Sequence, residues 1–155
     1  MKRHLLPAAL MLGLLTPLAG AQTGPTVVVA GAAAVPADDK LYQALGGRDA
    51  IQAFTNDFYA SMLADPRLAP FFDGINAKHL QRVLADYFCV VAGGPCVYDG
   101  VGMKDAHAHL GVGKGDFNAL VEHLQRAMDR AGVPFATQNR LLARLAPSHR
   151  DIVTR

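Results

Sequence analysis

The chain of 155 residues reads as an all-α domain behind an N-terminal export segment. Three observations carry that reading. Apolar side chains recur at steps of three and four through the long stretches after Asp38. Gly-Gly, Gly-Val-Pro and Asp-Pro breaks separate those stretches. No segment beyond residue 38 shows the β-branched alternation of a strand, which is confined to Val27 to Val29.

The elements follow in order. Met1 to His4 carry Lys2 and Arg3, Leu5 to Leu18 are apolar, and Ala19-Gly20-Ala21 has the small-x-small form of a cleavage site. Residues 1–21 are therefore expected to be a signal peptide, and the mature protein periplasmic or secreted. An uncleaved membrane anchor is the alternative, although Pro7, Gly13 and Pro17 interrupt a short apolar run and argue against a stable span. Residues 22–38, rich in Ala, Gly, Val and Pro, are expected to form a flexible linker, with the domain occupying 39–155.

Within the domain a short helix is expected near Asp39 to Ala44, stopped by Gly46-Gly47. A longer one over Arg48 to Ala64 carries Ile51, Phe54, Phe58 and Met62 on one face and ends at Asp65-Pro66. Phe71 and Phe72 form an aromatic pair in a corner. A third helix over Ala77 to Ala92 aligns Leu80, Leu84, Tyr87, Phe88 and Val91 and stops at Gly93-Gly94-Pro95. An irregular stretch then leads to a short helix near Met103 to His109. Asp116 is expected to cap the next helix, with Phe117, Leu120, Val121, Leu124 and Met128 inward. Gly132-Val133-Pro134 breaks it. The last helix runs from Phe135 towards Val153, with Leu141, Leu142 and Leu145 inward and Pro147 bending or ending its regular part.

Composition removes some functions. The formal charge of +2 comes from the export segment: without Lys2 and Arg3, 13 basic residues face 13 acidic ones. No clustered basic surplus exists for nucleic acid, and after signal cleavage no membrane segment is expected. Cys89 and Cys96 lie seven apart. An oxidising compartment permits a disulfide between them, and two buried free thiols are the other reading. They do not form C-x-x-C-H, so covalent haem attachment through them is not indicated.

The histidines narrow the chemistry. His107 and His109, two apart on a helix, point in opposite directions. Met103, Ala106, His107 and Leu110 share an otherwise apolar face, so His107 is expected to point inward and His109 outward. A buried imidazole needs a partner, either a metal or a backbone carbonyl. Zinc is disfavoured, because three or four ligands at recurring spacing are missing.

The ordered motifs supply a family. Leu41-Tyr42-Gln43-Ala44-Leu45-Gly46-Gly47, Asp57-Phe58-Tyr59, Leu63-Ala64-Asp65-Pro66 and Phe71-Phe72 resemble the first half of a group 1 truncated haemoglobin. Gly93-Gly94-Pro95, Tyr98, Gly100, Met103-Lys104, Ala106-His107 and Leu110-Gly111-Val112 resemble its second half. The resemblance covers about residues 39 to 153. It implies a truncated globin fold, a two-over-two helical sandwich around haem b held non-covalently.

By the same resemblance His107 corresponds to the proximal histidine that binds iron, Phe72 to the aromatic on the haem face, and Tyr59 to the tyrosine that hydrogen-bonds the bound ligand. Leu80 and Leu84 correspond to the distal positions nearest that ligand. Many members carry Gln where this chain has Leu84, which leaves Tyr59 as the main expected donor. Phe58, Phe88, Met103, Phe117 and Leu120 are expected to line the haem. His79 is a candidate sixth ligand or propionate contact, and Lys78 and Arg82 stand where they reach the propionates. His123 is expected to pack against a neighbouring helix.

The implied function is reversible binding of O2, NO or CO by a monomer. A haem enzyme, an NO dioxygenase or peroxidase fed by an external reductase, is the first alternative. A cofactor-free helical partner-binding module is the second.

Overall fold

The computed structural model describes residues 38–155. The expected signal peptide over residues 1–21, His4 included, and residues 22–37 of the expected linker lie outside the described residues. Seven α-helices are present among the described residues: α1 (Lys40–Ala44), α2 (Gly47–Leu63), α3 (Ala77–Val91), α4 (Met103–His107), α5 (Lys114–Arg130), α6 (Phe135–Leu145) and α7 (His149–Ile152). Two 3-10 turns, Ala69–Phe72 and Ala146–Ser148, complete them, and no strand occurs among the described residues.

Local chemistry sets the helix ends. Gly46 and Gly47 adopt φ of 90° and 77°, a left-handed conformation that lets α1 stop and α2 start without a spacer. The Asn76 side chain accepts the His79 backbone N–H at 3.0 Å and caps α3. At its other end Gly94 N–H reaches Cys89 C=O and Gly93 N–H reaches Val90 C=O, a paired closure that uses two orphan carbonyls. A Cβ at Gly94 would stand 2.6 Å from Cys89 Sγ, so no larger residue fits that turn.

Two expectations at element ends are corrected. Asp116 caps α5 from within its first turn and not from the N-cap position: Gly113 holds that position, and the Asp116 carboxylate, three residues on, accepts the Gly113 N–H at 2.9 Å. The short helix ends at His107 rather than His109: the Leu110 N–H closes a tighter turn on the His107 carbonyl, and Gly111 then turns left-handed with φ 62°. The regular part of the final helix ends before Pro147, as expected: α6 stops at Leu145, since Pro147 cannot continue an α-helical ladder, and the chain resumes as the separate α7.

Packing centres on α2, which contacts both α3 and α5, while α6 closes against α1, α3 and α5. Phe54, Phe58 and Phe88 form the middle of the core, with Phe88 6.0 Å and 6.1 Å from the other two rings. Ile51, Met62, Met128 and Leu141 are fully enclosed around them. At the edge of the core, Tyr87 hydrogen-bonds Ser148 across 2.9 Å, which ties α3 to the turn after α6.

The segment between α3 and α4 has almost no regular structure, yet it is held from several sides. A disulfide joins Cys89 to Cys96, with Cα atoms 5.9 Å apart. Arg48 Nη1 donates to Cys96 Sγ and lies 2.6 Å from the buried Asp86 carboxylate. Arg82 bridges Asp86 and Asp99. The Tyr98 ring lies 5.3 Å from Tyr87, and its hydroxyl donates to Val101 C=O. In the chain-entropy account a closed loop this short stabilises the fold by about 2.5 kcal/mol. Reducing the disulfide should therefore lower the urea midpoint of the full chain by a corresponding amount. Superimposable unfolding curves with and without reductant would rule this out.

Candidate functional site

The site is built from α4 outward. His107 lies in the last turn of α4, half-buried, with Nδ1 2.7 Å from the Met103 carbonyl oxygen. A carbonyl only accepts, so Nδ1 carries the proton and donates. That fixes the tautomer: Nε2 keeps its lone pair and is the nitrogen available to a metal. Met103 itself is buried. The surrounding face is less enclosed than the periodicity implies. Ala106 is exposed and Leu110 is 40% exposed, because the helix is too short to press that whole face against a neighbour. His109 lies in the turn beyond α4 and is exposed.

Tyr59 is on α2 and only 3% exposed, with its ring edge-on to Phe72 at 5.7 Å and 80°. Its hydroxyl has no hydrogen-bond partner among the described residues. No fully enclosed side-chain N or O atom there lacks a partner. It is a donor without an acceptor at the wall of the core.

The apolar candidates divide into two sets. Phe58 and Phe88 are sealed in the core. Phe72, Leu80, Leu84, Phe117 and Leu120 stay half-buried, although each lies on or near a helix with a well-packed inner face. Half-buried aliphatic and aromatic side chains on α3, α5 and the Ala69–Phe72 turn suit a flat apolar group. His79 is exposed in the first turn of α3. Arg82 is taken up by Asp86 and Asp99, which draws it away from the propionate contact its position suggested. Lys78 is exposed. His149, the first residue of α7, packs its ring edge-on against Phe117 at 4.8 Å.

His123 joins α5 to the end of α2. Its Nδ1 lies 3.1 Å from Ser61 Oγ and its Nε2 2.9 Å from Asp65 Oδ2. Arg67 grips the same carboxylate at 2.6 Å. The Arg67 guanidinium, then His123, hold the Asp65 carboxyl far below the usual carboxylate range. A group with a depressed folded-state pKa stabilises the fold above its unfolded pKa of about 3.9, and that stability fades as pH falls. Asp65→Asn should lower the melting temperature at pH 7 and flatten its fall between about pH 5 and 2. Parallel melting profiles for variant and wild type across that range would sink the assignment.

Several of these partners escape sequence reasoning. The Met103 carbonyl is a backbone atom with no side-chain signature. Arg48, Asp86 and Asp99 meet only after folding. The i, i+4 spacing of Arg82 and Asp86, and of Ser61 and Asp65, was a visible signal.

An all-helical chain whose two long helix pairs flank a short helix carrying an oriented, half-buried histidine defines a globin of the shortened, two-over-two class. A family model described as bacterial-like globin matches residues 40–154. A group 1 truncated haemoglobin from Mycolicibacterium paratuberculosis is 34% identical over 114 residues, covering 74% of this chain and 84% of that protein. The Fe(III) crystal structure of the Tetrahymena pyriformis truncated haemoglobin is similar with a TM-score of 0.71 at 29% identity, over 74% of this chain and 98% of that one. The 2/2 haemoglobin of a Synechococcus species, solved in the cyanomet state with covalently attached haem, shares the fold with a TM-score of 0.68 at 24% identity, over 74% of this chain and 98% of that one. The chain belongs to the bacterial-like globin family, among the group 1 truncated haemoglobins.

Proposed function

We propose that this protein binds haem b non-covalently through His107 and uses it to bind O2 reversibly, with NO and CO as alternative ligands. The observation that carries the reading is the His107–Met103 hydrogen bond, which leaves Nε2 as a pre-aimed, half-buried ligand atom. Ferrous haem, when bound, supplies an open face for a diatomic gas.

The remaining work falls to this chain. Donation from Nδ1 to the Met103 carbonyl holds the ring in one orientation and raises the basicity of Nε2. The Tyr59 hydroxyl, otherwise unpartnered, donates to a ligand that draws negative charge. Phe72, Leu80, Leu84, Phe117 and Leu120 cover the cofactor faces and exclude water, with Phe58 and Phe88 supporting them from the core. The signal-like N-terminus and the disulfide favour an exported protein, acting as a monomer.

The test is the absorption spectrum of the full chain titrated with haem, oxidised and then reduced. A saturable one-to-one Soret band that shifts with CO, and pigment that extracts into acidic butanone, are expected. A haem titration that never saturates would overturn the proposal.

A further inference from the structure

A second cleft, of about 550 Å3, shares no residue with the candidate haem site. Arg67 from the turn after α2 and His123, Arg126 and Arg130 from α5 line it, with Asp65 as the one acid in its wall. Among the described residues, the hydrogen bonds leave several of these donors unspent. Arg130 engages only Nε, on Asp57 at 2.7 Å. Arg126 engages only Nη2, on Glu122 at 2.8 Å. Arg67 engages Nε and Nη2, both on Asp65. Neither Asp57 nor Glu122 lines the cleft. Both Asp65 oxygens are already accepting, from Arg67 and from His123. Glu122 and Asp116 are the other acids whose charge reaches Arg67, and Asp116 is itself occupied by the Gly113 N–H and Arg155.

The unspent groups are therefore guanidinium donors: both Nη of Arg130, Nε and Nη1 of Arg126, and Nη1 of Arg67. Arg126 and Arg130 lie four apart on one helix face, each holding one carboxylate on part of its guanidinium fork and keeping further N–H donors. Planar guanidinium forks match tetrahedral oxyanions by paired N–H donation. Ala64 and Pro66 add an apolar side wall, and the cleft is larger than one phosphate fills. We infer that this cleft binds a phosphate group, free or carried on a small organic molecule.

The inference does not depend on haem, so its failure and that of the haem reading are separable. The test is calorimetric titration of the full chain, haem-loaded and haem-free, with inorganic phosphate and with adenosine monophosphate. Chloride at matched ionic strength is the control. One saturable phosphate site is expected in both forms, weakened about tenfold or more in Arg126→Gln/Arg130→Gln. Both side chains are half exposed, so the variant should keep the wild-type circular dichroism. Tighter binding of the nucleotide than of phosphate assigns the carried form, and equal binding the free ion. Phosphate heats equal to those of chloride, or wild-type affinity in the double variant, would overturn the site.

Discussion

His107→Gly is expected to abolish specific haem binding, with the saturable Soret band lost and residual pigment washed out on gel filtration. The substitution removes Nε2, the one ligand atom that the fold orients through the Met103 carbonyl. Loss of an outer-shell partner alone typically costs a metal site about 10- to 100-fold in affinity, and loss of the ligand itself should exceed that. The glycine also opens space beside α4, so imidazole added to the buffer should restore a Soret band. That rescue separates a lost ligand from a misfolded chain. His109→Gly is the matched control: exposed in the turn beyond α4, it should bind haem as the wild type does. Unchanged haem affinity in His107→Gly would refute the assignment.

Tyr59→Phe should leave haem binding intact and speed O2 dissociation by about 10- to 150-fold, the equivalent of losing one hydrogen bond to a charged acceptor worth about 1.5–3 kcal/mol. Two features make the effect large. Among the described residues the hydroxyl has no protein partner to satisfy, so its donation is free for the ligand. Leu80 and Leu84 have no hydrogen-bonding atoms to compensate. Removing one oxygen from a ring that packs on Phe72 leaves the edge-on contact in place, so stability should hardly change. CO, which gains less charge, should respond much less than O2. Equal O2 dissociation rates in the two proteins, measured by stopped-flow displacement, would remove Tyr59 from the ligand site. The ratio of O2 to CO effects tests whether charge, rather than shape, carries the discrimination.

Much of the architecture was legible because helices encode their buried face locally. Ile51, Phe54, Phe58 and Met62 repeat at helical spacing, and all four are buried in α2. The glycine breaks were legible for the same reason: a left-handed turn at Gly46 or Gly93 is a property of one residue. The reading weakened where an element was short. Around α4 the spacing placed Ala106 and Leu110 inward. A five-residue helix does not sustain its period long enough to bury a whole face, and both residues are exposed. Asp116 shows a related limit: its position near a helix start was plain, but whether it caps from outside or from within the first turn depends on where the backbone turns at Gly113.

By itself, then, the sequence determined the helical class, the order of the elements, the breaks between them and which histidine to examine, since each depends on residues within a few positions of one another. Tertiary structure alone decided the partners. It brought Arg48 to Asp86, and Ser61 and Asp65 to His123. Among the described residues it also left the Tyr59 hydroxyl without a bond. These pairings join atoms far apart along the chain, and no local periodicity carries information about them. The physical reason is that a hydrogen bond or ion pair is specified by position in space to within a fraction of an ångström, whereas apolar burial needs only the correct face.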